Sequence, residues 1–217
     1  KQLNYWKMNS LKKFALTGLA ALVMGFGAAK GLEARTLRVP SHYPTIQAAI
    51  DKAKDGDEVL VAQGRYSGGI VIDKQIVLRS EAGYSNTELY ATESSTYSVV
   101  YIHIPNDEST GRGRKVEYTI DGFTINGSGR NITGINDQSS FDNGSIESNG
   151  YILNNLVENC KGYQGIAQVN GVLHVRNNIV RNNWAGIVGF NSLVFADHNL
   201  IYGQGGAGII KPMPNGL

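Results

Sequence analysis

A six-residue pattern that recurs in the second half of the chain limits the fold more than any other feature. The hexads begin at Ile120, Ile152, Val175 and Ala196, at intervals of 32, 23 and 21 residues. Each hexad is trailed by a Gly-Ile pair, at Gly134, Gly165, Gly186 and Gly208. A polar insertion at 137–150 lengthens the first interval. A basic period near 22 residues is typical of a solenoid, in which each repeat stacks on its neighbours.

The residue types in the repeat suit coils that each hold three short strands and three turns. Strands of successive coils would stack at ~4.8 Å, so the first residues of the hexads form one inward apolar column. Asn155, Asn178 and Asn199 form a second column at a turn. Asparagine tolerates left-handed backbone, and its amide can hydrogen-bond the same side chain one coil away, so this column predicts a structural ladder. The alternative is an antiparallel sandwich, because Asn-Gly pairs such as Asn126-Gly127 and Asn170-Gly171 are hairpin signals.

An amphipathic helix precedes the strands. Ile46, Ala49, Ile50 and Ala53 have the i, i+3, i+4, i+7 spacing of one apolar helical stripe, and Asp55-Gly56-Asp57 ends it. The following apolar runs are short and broken by turn residues, as in strands of three to five residues. This order predicts an all-β architecture whose open end is covered by the helix.

Residues 8–29 have the layout of a secretory signal peptide, with Lys12-Lys13 before 16 uncharged residues. That stretch is shorter than the roughly 20 residues of a membrane span, and a buried helix is the alternative. We therefore expect an upstream extension at 1–7, a signal peptide at 8–29 and a β domain at 36–217. The protein is expected to be secreted or periplasmic, without a membrane span after the signal is removed.

Charge and cysteine content exclude two classes of function. Cleavage after Ala29 removes four lysines and no acids, so 20 basic and 18 acidic residues become 16 and 18. This near-neutral balance gives no support for nucleic-acid binding. Cys160 is the single cysteine, which excludes an intrachain disulfide framework and a cysteine-based zinc site.

The first half of the chain contains the segments TIQAAI at residues 45–50, GDEVLV at 56–61 and GRY at 64–66. These segments resemble the opening of right-handed parallel β-helix proteins of the pectin-lyase-like superfamily. The hexad at 120–125 and the Asn-Asn coils are similar to the later repeats of that class. The resemblance spans about 37–210 and implies a right-handed parallel β-helix solenoid with an N-terminal amphipathic capping helix. Because the chain stops just after a coil, we expect it to be truncated at the C-terminus.

The superfamily includes pectate lyases, polygalacturonases and many secreted proteins, so the resemblance implies a polysaccharide partner without fixing an activity. Hydrolysis needs two carboxylates within several ångströms. Polygalacturonases resemble that requirement with adjacent aspartates and a Gly-His-Gly, and this chain has neither. A lyase of the pectate type would need Ca²⁺ and a Lys or Arg as base. No other cofactor is indicated, since His42, His103 and His174 lack metal-ligand spacing.

The row beside the inward column reads Asp121, Leu153, Arg176 and Asp197, and it is expected to face outward. Asp121 and Asp197 are three coils apart, about 14 Å, so they cannot share one Ca²⁺. Arg176 and Asp197 are one coil apart and predict an exposed ion pair of about 0.2–1 kcal/mol.

Asp197-His198 resembles the Asp-His pair of one pectate lyase family, but the Trp that usually precedes that pair is absent. Asp197-His198 also fills the slot of residues of the Asn154-Asn155 type, and coincidence is the alternative explanation. The candidate substrate-binding residues are Asp121, Arg176, Asp197 and His198, and no metal ligands are assigned. Further candidates to stack on sugar rings are Tyr84, Tyr90, Tyr97 and Tyr101. A candidate contact to an acidic sugar is Arg112-Gly113-Arg114-Lys115.

We expect the protein to be a monomer. The observations favour a carbohydrate-directed surface for extracellular polysaccharide, because stacked coils present outward residues at a regular spacing. Two alternatives stay open. One is a polysaccharide lyase or hydrolase whose catalytic coils lie beyond Leu217, since the chain contains no complete catalytic constellation. The other is a structural or accessory surface or periplasmic module.

Overall fold

The computed structural model describes residues 34–103, 116–138 and 148–210, and within them the regular structure is β-strand apart from one helix, α1 (Ile46–Lys52). The strands are β1 (Thr36–Val39), β2 (Glu58–Val61), β3 (Gly64–Ser67), β4 (Ile70–Ile72), β5 (Val77–Ser80), β6 (Thr87–Tyr90), β7 (Ser98–Ile102), β8 (Val116–Asp121), β9 (Thr124–Asn126), β10 (Thr133–Gln138), β11 (Ser148–Leu153), β12 (Leu156–Glu158), β13 (Gln164–Arg176), β14 (Ile179–Arg181), β15 (Ala185–Asp197), β16 (Leu200–Tyr202) and β17 (Ile209–Ile210). The signal peptide expected at 8–29, the basic segment at 112–115 and residues 211–217 lie outside the described residues. Among the described residues, none belongs to a helix with the length and apolarity that crossing a bilayer requires.

The strands pair in parallel, and each pairs with strands from the neighbouring passes of the chain. We use "pass" for one circuit of about 22 residues, such as Val157 to Val180 in the register of β12 and β14. The smaller sheet has the order β16-β14-β12-β9-β6-β3. This parallel, solenoid-like stacking confirms the interpretation of the repeat. The antiparallel sandwich is wrong for the described residues, since Asn126-Gly127 and Asn170-Gly171 do not join antiparallel strands.

The larger sheet has two arms that meet in the long strands β13 and β15. The first part of β13 pairs with β10, with Ile166 beside Ile135, and its last part pairs with β11, with Val175 beside Ile152. Asn170, in the middle of β13, has a left-handed φ of 65° and turns the chain from one arm to the other. Each complete pass therefore holds three strand segments, as the repeat predicted.

The interior is built from apolar columns that run through successive passes. One column in register contains Leu37, Val59, Leu78, Ile120, Ile152, Val175 and Ala196. All of these are buried except Ala196, which is partly buried against the core. Full burial of one aliphatic side chain contributes about 1.5–3 kcal/mol, so the repeated column stabilises the stack pass by pass. The inward column expected from the hexads is confirmed, and it continues into the first half of the chain.

Helix α1 packs where the stack begins. Thr45 is its N-cap, and its Oγ1 accepts a hydrogen bond from the backbone N of Ala48 at 3.1 Å. Ile46, Ala49 and Ile50 are buried on the face that contacts β1, β2 and β4. The helix and its apolar stripe are confirmed.

The asparagine ladder is present with the geometry that the sequence predicted. Oδ1 of Asn178 accepts from the backbone N of Asn155 at 2.9 Å, and Oδ1 of Asn199 accepts from the backbone N of Asn178 at 3.0 Å. The amide of Asn178 also donates to the backbone O of Ile152 at 2.8 Å. These bonds satisfy buried backbone groups at a turn where the strand ladder is interrupted.

We expect Asn178→Ala to destabilise the protein strongly. It leaves buried backbone groups of Asn155 and Ile152 without partners, at about 1–3 kcal/mol for each group. The matched control is Asn177→Gly, at an exposed neighbour with φ 57°, where glycine costs at most about 1 kcal/mol. Urea unfolding of both variants measures the difference. Equal losses of unfolding free energy would contradict the ladder.

Asp57 connects the start of β1 to the end of the helical segment. Its carboxylate accepts from the backbone N of Arg35 at 2.9 Å, from the backbone N of Lys54 at 2.8 Å and from the Arg35 guanidinium. Burial alone would raise the pKa of Asp57, but the bonds from Arg35 and Lys54 outweigh it and lower the pKa.

The lowered pKa predicts acid sensitivity. A carboxyl group with a folded pKa below its unfolded pKa stabilises the protein above the unfolded value, and that stability is lost as pH falls through the folded value. We expect Asp57→Asn to lower the unfolding free energy at pH 7, with the deficit relative to the unmodified protein shrinking below about pH 4. The measurement is urea unfolding as a function of pH. A deficit that does not depend on pH would show that the charge of Asp57 contributes nothing.

Candidate functional site

The sequence-predicted candidates lie at the ends of β8, β13 and β15 in the larger sheet, with His198 directly after β15. Asp121 pairs in register with Leu153, Leu153 with Arg176, and Arg176 with Asp197. Asp121 differs from the expectation that it faces solvent, because only 8% of it is exposed. Its Oδ1 accepts a hydrogen bond from Nδ2 of Asn154 at 2.8 Å, which covers the carboxylate from the next pass.

The structure brings the other three candidates together. Arg176 and Asp197 form the predicted exposed ion pair, with Nε 3.3 Å from the Asp197 carboxylate. Nδ1 of His198 lies 2.7 Å from the other oxygen of Asp197. His198 has a φ of 54°, close to the 56° of Asn154 and the 57° of Asn177. His198 therefore occupies the left-handed turn position of the repeat, and a part for these residues in ligand binding stays a prediction.

An aromatic ladder runs beside this row. The ring of His174 stacks on Tyr151 at 4.9 Å and on Phe195 at 5.1 Å, with interplanar angles of 9° and 12°. Burial and the nearby Arg176 lower the pKa of His174, so the neutral ring is favoured inside the stack. His174 is covered on both faces, whereas Phe195, the last ring of the ladder, is 55% exposed. The stacked rings contribute to the stability of the contacts between β11, β13 and β15.

A buried polar cluster lies inside the stack. Oδ2 of Asp137 accepts hydrogen bonds from Tyr118 at 2.7 Å, Ser148 at 2.9 Å and Gln168 at 3.1 Å. Burial, together with the charge of Asp137, raises the pKa of Tyr118. All four side chains are buried, so the cluster is shielded from a ligand on the outer surface.

The outer side of the smaller sheet carries a groove, which we call the Tyr84 groove. Its volume is about 530 Å³. It is lined by Gly64, Arg65, Tyr84, Ser85, Asn86, Thr87, Glu88, Thr124, Leu156 and Glu158. These residues come from β3, β6, β9, β12 and the loop at 83–86. Oγ1 of Thr124 donates to the backbone O of Tyr84 at 2.7 Å and holds this loop against the sheet.

Charged and amide side chains form a chain of contacts along the groove. Nε of Arg65 donates to Glu88 at 2.6 Å, and Nδ2 of Asn126 donates to the other oxygen of Glu88 at 3.0 Å. Farther along the sheet, Nε of Arg181 donates to Glu158 at 2.7 Å. The bond to Glu88 raises the pKa of Arg65, and bonds to Tyr202 and Glu158 raise that of Arg181, so both guanidinium groups stay charged.

Of the tyrosines proposed to meet sugars, Tyr84 lies in the groove and 39% of it is exposed. Tyr90 lies beneath the Arg65 guanidinium, 4.7 Å from the ring centre. Tyr97 and Tyr101 are not among the groove residues. Sequence reasoning missed Arg65, Glu88 and Glu158. The available signal was the separation of 23 residues between Arg65 and Glu88 and between Glu158 and Arg181, which is one pass of the repeat.

In the part of the chain that the structure describes, no three or more His, Cys, Asp or Glu side chains lie close enough together to hold a metal ion. Cys160 is buried, and burial raises the pKa of its thiol to about 12. The thiol is therefore protonated at neutral pH and unreactive.

Comparison with known proteins found no family model, no curated protein and no solved structure that matches the chain.

The geometry of Arg176 and Asp197 predicts a weak interaction. Both side chains are more than half exposed, and exposed pairs contribute about 0.2–1 kcal/mol and are screened by salt. A double-mutant cycle with Arg176→Ala and Asp197→Ala, measured by urea unfolding at low and high salt, should give a coupling energy in that range that falls with salt. A coupling energy above about 2 kcal/mol would show that the pair belongs to a buried network.

Proposed function

We propose that this protein binds extracellular polysaccharide in the Tyr84 groove. The observation that carries the proposal is an open groove of about 530 Å³ in which an exposed tyrosine stands beside one arginine and two glutamates. Binding sites for small ligands have volumes of about 300–1,000 Å³ and combine apolar surface with a few placed polar groups. A sugar ring offers C–H groups to Tyr84 and hydroxyl groups to the carboxylates and the guanidinium.

The stacked passes support an extended ligand. Strands β3, β6, β9 and β12 all contribute to the groove, and neighbouring strands lie ~4.8 Å apart. A polymer that lies along the stack therefore meets a further row of outward side chains at each pass. The finer parts of the proposal are a right-handed parallel β-helix of the pectin-lyase-like class and a secreted or periplasmic location. They are supported by the resemblance at 45–66 and by the signal-like segment at 8–29.

The test is binding of the full chain to a panel of neutral and acidic polysaccharides, compared between two tyrosine variants. Tyr84→Ala removes the aromatic wall, and we expect it to weaken binding about tenfold. Tyr97→Ala is the matched control, because Tyr97 is 74% exposed and is not among the groove residues. It should bind as the unmodified protein does. Equal affinities of the two variants for polysaccharide would show that the binding site lies outside the Tyr84 groove.

The same panel separates recognition from catalysis. Each polymer is incubated with the protein with and without Ca²⁺, and unsaturated product is followed by absorbance. Binding without product agrees with the proposal. Calcium-dependent product would identify a lyase, and no binding to any polymer would favour the structural or accessory module.

A further inference from the structure

The charged residues of the Tyr84 groove indicate whether its polysaccharide ligand is charged or neutral. Its lining contains one cation, Arg65, and two anions, Glu88 and Glu158. Arg181, which stands beside the groove, holds Glu158, and Arg65 holds Glu88. The groove therefore has no excess positive charge with which to attract a polyanion.

The positions of these bonds also disfavour a carboxylate ligand. The Arg65 guanidinium lies 4.7 Å from the centre of the Tyr90 ring and bonds Glu88 through Nε. Both oxygens of Glu88 accept hydrogen bonds, one from Arg65 and one from Asn126. A ligand carboxylate that binds Arg65 would lie close to the Glu88 carboxylate, and the two negative charges would repel each other.

An apolar row continues the groove along the stack. Leu156, Ile179 and Leu200 lie in register on β12, β14 and β16, and we call them the leucine row. The row begins at Leu156 in the groove and ends at Leu200, which is 56% exposed. From Thr124 to Leu200 the surface extends over three strand spacings, about 14 Å.

A polar row runs beside the leucine row. Glu158, Arg181 and Tyr202 lie in register on the same three strands. Nη1 of Arg181 donates to the Tyr202 hydroxyl at 3.2 Å, which completes a chain of bonds from Glu158 to Tyr202. An apolar row with a polar row at its side fits a ligand that has one apolar face and a hydroxylated edge.

We infer that the ligand of the Tyr84 groove is an uncharged glycan, whose sugar rings lie on the leucine row and whose hydroxyl groups meet the polar row. This inference rests on the proposed function, since it names the substrate class of the same site. A polyuronate carries a carboxylate on each ring, and Arg65, the cation in the groove lining, is already paired with Glu88.

The experiment compares three soluble probes on the full chain: cellohexaose, which is neutral, hexagalacturonate and a glucosamine hexamer. Titration calorimetry is performed at about 20 mM and about 300 mM sodium chloride, where screening differs most. We expect cellohexaose to bind at least about tenfold more tightly than either charged probe, with less than about a twofold change between the two salt concentrations.

Two leucine variants test the position of the ligand. Leu200→Ala shortens the leucine row and should weaken cellohexaose binding about fivefold. The matched control is Leu193→Ala on the larger sheet, where Leu193 is 58% exposed, and it should leave the affinity unchanged. Equal effects of the two variants would overturn the leucine row as the contact surface.

The outcomes distinguish the inference from the function on which it rests. Tighter binding of hexagalacturonate, with affinity lost at high salt, overturns the neutral ligand and leaves polysaccharide binding in place. Tighter binding of the glucosamine hexamer than of cellohexaose also overturns the neutral ligand and leaves polysaccharide binding in place. No binding of any of the three probes or of the longer polymers overturns the proposed function itself.

Discussion

The bonds between Asn155, Asn178 and Asn199 are the constraint on which the rest of the structure depends. A turn inside a stack of parallel strands leaves backbone N–H and C=O groups away from water, and each must find a partner. Here the partner is a side-chain amide one pass away, which reaches it only when successive passes are in register. Cys160, Asn183 and Gln204 repeat the arrangement at a second turn, with bonds of 2.9 Å. Slippage by one residue would break both ladders and turn the apolar columns outward.

Register in the interior places outward side chains in rows as well, and these rows bring opposite charges together. Arg65 with Glu88 and Glu158 with Arg181 are each 23 residues apart, one pass of the repeat. The same constraint builds the Tyr151–His174–Phe195 ladder, in which the rings cover one another. These outward side chains therefore find partners in the neighbouring pass. The Tyr84 groove differs because the loop at 83–86, which Thr124 holds against the sheet, contributes part of its lining.

The repeat explains which features could be predicted from the sequence. Column neighbours follow from the hexads, so the asparagine ladder, the inward column and the Arg176–Asp197 pair were predictable. The burial of Asp121 was not, because it depends on the side chain of Asn154 turning back from the next pass. The second ladder was hidden because glutamine stands in its last position. The groove was also hidden, because the path of a loop outside the repeat forms it.

The most direct test of the central claim is amide hydrogen exchange of the full chain with and without a saturating oligosaccharide that it binds. The account predicts added protection in residues 84–90, 124–126 and 156–158, which line or flank the groove. It predicts no added protection in residues 148–153, 172–176 and 193–197, where the aromatic ladder lies. Protection confined to those strands of the larger sheet would contradict the account and return the site to Arg176, Asp197 and His198.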